Sequence, residues 1–337
     1  MPDNGPGDNG QNTRDNGQNA KDSGTSSQLP RMSFVYDGKY IFSALGAINS
    51  AKNSIYMTEL EFIDGSKPTS LRYALINARK RGVTVRVVLE DNVDNNYEEY
   101  NALKKGGVDV KYDGNGSNLH AKTIVIDGHI VLVGSTNLSQ SSLAHNHETD
   151  IVFNDTQTGA AFVRYFNDIW NNPLNKAKPG ACGSGITCFG DDEYYNNVYP
   201  VLNSAKKDIR MVMYSITQST KSSALQGKLC NALIDAHSRG VDVRVILERL
   251  DYKDDVNNDN AKAAAKLKQG GVSVRFDPDD VITHAKMLII DDKVVVSTNN
   301  WSRSGLISNH EAGVIVQDST VTADALKYFR DLWAVSQ

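Results

Sequence analysis

Two tandem α/β lobes made from one duplicated unit are the fold that this 337-residue sequence predicts. Three observations carry the prediction. A motif of His, Lys, Asn and Glu occurs twice, the blocks around it recur in the same order, and those blocks alternate helical with strand periodicity.

The blocks justify the elements in chain order. Ile48-Asn49-Ser50-Ala51-Lys52 recurs as Leu202-Asn203-Ser204-Ala205-Lys206. Leu71, Ala74, Leu75 and Ala78 carry helical spacing and match Leu229, Ala232, Leu233 and Ala236, with Gly82 and Gly240 placed as helix stops. The valine-rich runs after those glycines, ending at Glu90 and Glu248, read as buried strands. Gly106-Gly107-Val108 recurs as Gly270-Gly271-Val272, and Tyr165-Phe166 with Trp170 recurs as Tyr328-Phe329 with Trp333. Between repeats the offset drifts from 154 to 158, 164 and 163, so insertions fall between the blocks, as loops vary on a fixed scaffold. Each lobe therefore reads as strand, helix, strand, helix, a strand pair and a closing helix, giving mixed sheets flanked by helices and two lobes related by a pseudo-twofold axis.

Residues 1–28 are almost wholly Asn, Gly, Asp, Gln, Ser and Thr and cannot bury enough surface to fold, so a disordered tail is expected there. The first lobe is assigned to 29–175 and the second to 176–337, with a Pro- and Gly-containing linker over 171–192. Net charge is −4, which gives no global footprint for a polyanionic partner. No apolar run is long enough to span a bilayer, and both an exported protein with its signal removed and a cytoplasmic one fit the composition. Cys182 and Cys188 lie six apart, which suits either a small disulfide loop or two thiols. Cys230 is expected on a helix flank, without a role.

The repeated motif carries the chemistry. It reads His120-Ala121-Lys122 through Asp127, and again His284-Ala285-Lys286 through Asp291; Asn137 and Asn300 follow, each eleven residues ahead of Glu148 and Glu311. Residues two apart on a strand share a face, so each His and its Lys point together. Asp127-Gly128 and Asp291-Asp292 read as hairpin turns, expected to pair position 126 with 129 and to bring Ser135 and Asn137 back beside His120, and Asn300 beside His284. Asp127 and Asp291 fall at the far end of the run, on the order of 20 Å away, and read as structural turn or ion-pair residues. Trp301 is expected in the core, and His147 and His310 are assigned to shared ancestry alone.

These residues in this order resemble the phospholipase D superfamily, and the resemblance covers nearly the whole chain from about Ser33. Gly134-Ser135-Thr136-Asn137 fits the family pattern. The second copy, Ser297-Thr298-Asn299-Asn300, keeps a hydroxyl at Thr298 and loses the glycine. The resemblance implies two-step phosphodiester cleavage with no metal and no cofactor, which agrees with the lack of a Cys/His/carboxylate cluster at zinc spacing. One imidazole attacks phosphorus and the other protonates the leaving oxygen, with His120 implied as nucleophile and His284 as acid. Lys122, Lys286, Ser135, Asn137, Thr298 and Asn300 are expected on the phosphate, and Glu148 and Glu311 on the far ring nitrogens of the histidines.

Phospholipid head-group cleavage is the leading expectation. The alternatives are a nuclease, for which His-Ala-Lys and the short lobes speak, and a phosphatidyl transferase of the cardiolipin synthase kind; a degenerate binding module is disfavoured because neither copy has lost its His or Lys. A monomer with one site between its lobes is expected.

Overall fold

The computed structural model describes residues 31–337 apart from 64, 115–117, 220, 222, 250–253 and 279. The tail assigned to 1–28 lies outside the described residues. The first lobe runs β1 (Met32–Tyr36), α1 (Tyr40–Ser50), β2 (Ser54–Glu59), α2 (Ser66–Lys80), β3 (Thr84–Leu89), α3 (Asn96–Lys105), β4 (Asp109–Tyr112), β5 (Thr123–Ile126), β6 (Ile130–Gly134), α4 (Gln140–Ala144), β7 (Thr149–Asn154) and α5 (Thr156–Asn171). The second runs β8 (Ile186–Gly190), α6 (Tyr194–Ser204), β9 (Asp208–Met213), α7 (Leu225–Ser238), β10 (Asp242–Leu247), α8 (Asp254–Gln269), β11 (Ser273–Phe276), β12 (Lys286–Ile290), β13 (Lys293–Ser297), β14 (Ala312–Val316) and α9 (Ser319–Val335).

Each lobe holds a seven-stranded mixed sheet, in the orders β1-β7-β6-β5-β2-β3-β4 and β8-β14-β13-β12-β9-β10-β11. The duplication predicted from the sequence is therefore a duplication of topology, although the strand count per lobe was set too low. One added strand, β8, lies inside the segment read as linker and closes the edge of the second sheet against β14. Cys188 sits on it and forms a disulfide with Cys182, their Cα atoms 5.9 Å apart. Cys230 is fully buried in the α7 core and not on a flank, and burial pushes its thiol up to about 11.

Strands β5, β6, β12 and β14 are buried at every position, and largely apolar, because both faces are covered. On one face Val125, Val131, Val133, Ile151 and Phe153 share a core with Met287, Ile289, Val294, Val296 and Val314 of the other lobe. The alternate residues, Ile124, Ile126, Ile130 and Leu132 in the first lobe, face the helices of their own lobe. The lobes thus meet sheet face to sheet face. Trp301 is fully buried in the second lobe's core and donates from Nε1 to the Tyr194 hydroxyl at 2.8 Å.

Among the described residues, the non-glycine positions with left-handed backbone are all aspartates: Asp37, Asp127, Asp191 and Asp291, two equivalent pairs. Asp tolerates this conformation better than most side chains. Asp127 turns there and accepts hydrogen bonds from the backbone N–H groups of Lys52, Asn53 and Ser54 at 2.9, 2.7 and 2.8 Å; Asp291 does the same for Lys206, Lys207 and Asp208. The motif aspartates clasp the loop that feeds the central strand, far from the histidines. The first hairpin departs from the expected pairing: Ile126 is opposite Ile130, with His129 an extra residue, whereas Ile290 is opposite Lys293 as counted.

Burial works against the Asp127 carboxylate, but the three backbone donors outweigh it and hold its pKa below the usual range. A group depressed in this way stabilises the fold above its unfolded pKa, and that contribution is lost as pH falls through the folded value. Asp127→Ala is expected to cost about 2 kcal/mol at neutral pH, and less at a pH below the ordinary aspartate value of 3.8. Urea unfolding at both pH values checks this.

Candidate active site

The start of each motif strand is held by the opposite lobe. The N–H of His120 donates to the carbonyl of His310 at 2.9 Å, and the N–H of His284 donates to the carbonyl of His147 at 2.9 Å. The Asn-His-Glu triplet of one lobe therefore lies alongside the His-x-Lys strand of the other. His147 and His310, read from sequence as relics of ancestry, have positions of their own: their imidazoles contact Asp37 and Asp191 at 3.2 and 2.8 Å. Those aspartates also accept the backbone N–H of Glu148 and of Glu311, and the hydroxyls of Tyr328 and Tyr165 donate to them.

The glutamates are crossed as a result. His120 Nδ1 lies 2.8 Å from Glu311 Oε2, and His284 Nδ1 lies 3.0 and 3.1 Å from the two oxygens of Glu148. The sequence pairs each Glu with a histidine but does not say which; the answer is the one in the other lobe. With Nδ1 engaged, Nε2 is the ring nitrogen through which His120 can meet a substrate.

Ser135 and Thr298, expected on a phosphate, are fully buried and donate to the carboxylates of Glu148 (2.6 Å) and Glu311. Each hydroxyl also accepts a backbone N–H, from Thr149 and Ala312. Their arrangement holds the glutamates in place. Asn137 lines the cleft, donating to Glu61 Oε2 at 3.3 Å, and its Oδ1 has no partner among the described residues; the same is true of Asn300 Oδ1.

Lys122 and Lys286 are buried, 1% and 0% exposed, and each donates to the carbonyl of its own histidine. An ammonium has two further protons to offer an anion. Burial lowers both lysines, Lys286 to about 7, while nearby glutamates oppose the shift. Burial likewise raises Glu148 to about 7 against the pull of Lys286 and Ser135. For Glu311 burial also acts upward, but His120, Thr298 and Lys122 overcome it and hold the carboxyl below its usual range. Burial dominates at His120 and lowers its pKa, with Glu311 opposing.

The lobes differ beside this constellation. β2 and β9 are matching strands, and Glu59 and Glu61 in the first stand where the second lobe has Met213 and Ser215. Glu59 is fully buried, its carboxyl raised by burial against the charge of Lys122. Glu61 lines a cavity of about 280 Å³ with Asn137, Ser141, Asn146, Tyr214 and His284. The Tyr214 ring meets the His284 ring edge-on at 4.8 Å. Sequence reasoning missed these residues because they lie outside the repeated blocks; the broken match at Glu59 and Met213 was the available signal.

Two α/β lobes that exchange carboxylates across a shared sheet interface place this chain in a duplicated, two-lobe fold class. The chain belongs to the phospholipase D superfamily: the family model described as cardiolipin synthase, PLD-like domain, matches residues 45–170 and again 198–333. A phospholipase D of Rickettsia conorii is 31% identical over 118 residues, 35% of this chain and 57% of that protein. A probable phospholipase D of Caenorhabditis elegans is 22% identical over 77% of this chain and 58% of its own length. The chain thus spans a little over half the length of these relatives. In fold it is similar to the phosphatidylserine synthase of Haemophilus influenzae, with a TM-score of 0.71 and 12% identity over 92% of this chain and 88% of that one.

The crossed pairing has a direct check. Glu311→Gln removes the carboxylate that raises His120, so the His120 pKa is expected to fall further, and to stay in place in Glu148→Gln. Histidine NMR titration of Glu311→Gln and Glu148→Gln reads both, and a His120 shift in the Glu148 variant alone would mean that each lobe serves itself.

Proposed function

We propose that this protein is a metal-independent phosphodiesterase that releases the head group of a phospholipid through a phosphohistidine on His120. The observation that carries the choice of lipid is Glu61 in the cleft beside His284, with Glu59 buried behind Lys122. A single phosphodiester held between two lysines tolerates a carboxylate next to its head group. A nucleic acid strand brings a further negative charge at each nucleotide and is repelled by it. The net charge of −4 acts in the same direction.

In the first step Nε2 of His120 forms a bond to phosphorus, the bond from phosphorus to the head-group oxygen breaks, and His284 gives its proton to that oxygen. In the second, water attacks phosphorus as the N–P bond breaks, and His284 takes a proton from the water. Lys122 and Lys286 hold the non-bridging oxygens with Asn137 and Asn300, where charge accumulates in the transition state. Ser135 and Thr298 act through the glutamates, which keep both imidazoles oriented. The lowered pKa of His120 supports its role as the nucleophile, since an imidazole must be neutral to attack. An alcohol in place of water in the second step gives phosphatidyl transfer. Both halves of this site lie in one chain, so a monomer is expected to be active, with specific activity constant on dilution.

Phosphatidylcholine is expected to be cleaved and single-stranded DNA left intact, both in EDTA; cleavage of the DNA alone would replace lipid with nucleic acid as the substrate. The acidic limb of kcat/KM is expected below 6.5, the ordinary histidine value, because His120 must lose its proton and burial lowers its pKa.

His120→Ala should abolish turnover of every diester. His284→Ala should cost about 10²–10⁴-fold on a poor leaving group and much less in the first step on bis-(p-nitrophenyl) phosphate, whose leaving group needs no proton. Quenched labelling of that variant is expected to find phosphate on His120, and label on His284 in His120→Ala would reverse the two roles.

A further inference from the structure

A buried carboxylate pair recurs beneath both motif strands: Glu90 with Asp113 in the first lobe, Glu248 with Asp277 in the second. The second pair also leaves one oxygen of each carboxyl, Glu248 Oε1 and Asp277 Oδ1, buried with no partner among the described residues, but it has compensating neighbours. The Thr283 hydroxyl donates to Asp277, and His147 lies near enough to act on both carboxyls. The first pair lacks these partners and is joined by a third acid. Leu119 stands where the second lobe has Thr283, and Asp91 stands where it has Arg249. Glu90 and Asp113 are 0% and 2% exposed, whereas Asp91 is exposed. Asp113 Oδ1 accepts the backbone N–H of Asp91, but its Oδ2 is buried with no partner among the described residues. No ion pair to any of the three carboxylates is found among the described residues.

We propose that Glu90, Asp91 and Asp113 bind a divalent, oxygen-seeking cation, Ca²⁺ or Mg²⁺, at a site separate from the histidine cleft. Oxygens sharing one Ca²⁺ at about 2.3–2.6 Å must lie within about 5 Å of each other. One oxygen from each of these three residues lies within 4.8 Å of the others. A donor set of carboxylate oxygens alone suits a hard cation and not zinc or copper. The exposed Asp91 gives the ion a way in and leaves coordination positions to water. Glu90 Oε2 already accepts the N–H of Leu119, the residue before His120, so a cation here braces the start of the motif strand. It stabilises the fold and takes no part in phosphoryl transfer, which is why chemistry at His120 is expected to persist in EDTA.

The experiment uses the full chain, stripped with EDTA, exchanged into chelator-free buffer and titrated calorimetrically with CaCl₂ and with MgCl₂, with thermal melts alongside. One ion is expected to bind saturably, one per chain, and to raise Tm. Asp91→Asn, a surface change that leaves the core intact, should weaken binding by at least about tenfold, as should Asp113→Asn if it folds. Asp94→Asn, on a nearby exposed acid, should bind as wild type does. No saturable binding of either ion up to about 10⁻³ M with unchanged melts, or unimpaired binding by Asp91→Asn, would overturn the site. Neither result bears on lipid cleavage, which is assayed separately.

Discussion

The contact on which the structure depends is the exchange of carboxylates between lobes. Two lysines and two glutamates are almost completely buried around the histidines, and removing one such charge from water costs several kcal/mol unless a partner meets it. Each glutamate finds its histidine in the other lobe, so neither lobe alone can bury its half of the charge. The shared apolar face supplies driving force for the lobes to associate, but the crossed pairs specify how they must align. Sliding one sheet over the other would part each glutamate from the histidine it meets in the other lobe.

Identical scaffolds on either side of that interface do different electrostatic work. His120 and Glu311 form a pair in which the carboxyl stays ionised, while burial pushes Glu148, the partner of His284, up to about 7. The strands beside them diverge as well, with Glu59, Leu60 and Glu61 in one lobe and Met213, Tyr214 and Ser215 in the other. A duplicated fold begins with two equal histidines. Departures around them, not in the motif itself, give the two histidines different surroundings.

Much of this was legible in the sequence because duplication is a non-local signal written locally. The repeated blocks disclosed the two lobes, the shared face of each His and Lys, and the structural character of Asp127 and Asp291. What escaped is what depends on partners distant in the chain. Strand β8 lies in a Gly-rich stretch with no periodicity of its own and becomes a strand only because β14 offers it an edge. The extra residue at His129 is invisible to counting, since a bulge and a tight turn have the same composition. Counting places Ser135 near His120 but cannot tell whether its hydroxyl points to a cleft or to Glu148.

The glycine that the second motif lacks has not vanished. Gly134 on β6 faces Asp150 on β7, and a side chain at 134 would collide with that aspartate; in the second lobe Ser297 on β13 faces Gly313 on β14, where a side chain would strike Ser297 and Phe189. The small residue has crossed to the neighbouring strand. The two hairpins are therefore not exchangeable parts. Grafting β6 into the second lobe would set glycine against glycine and open a void, while grafting β13 into the first would drive serine into aspartate. A chimera of the two halves must move both strands together, and a mutation at either position is tolerated or rejected according to what stands across the ladder.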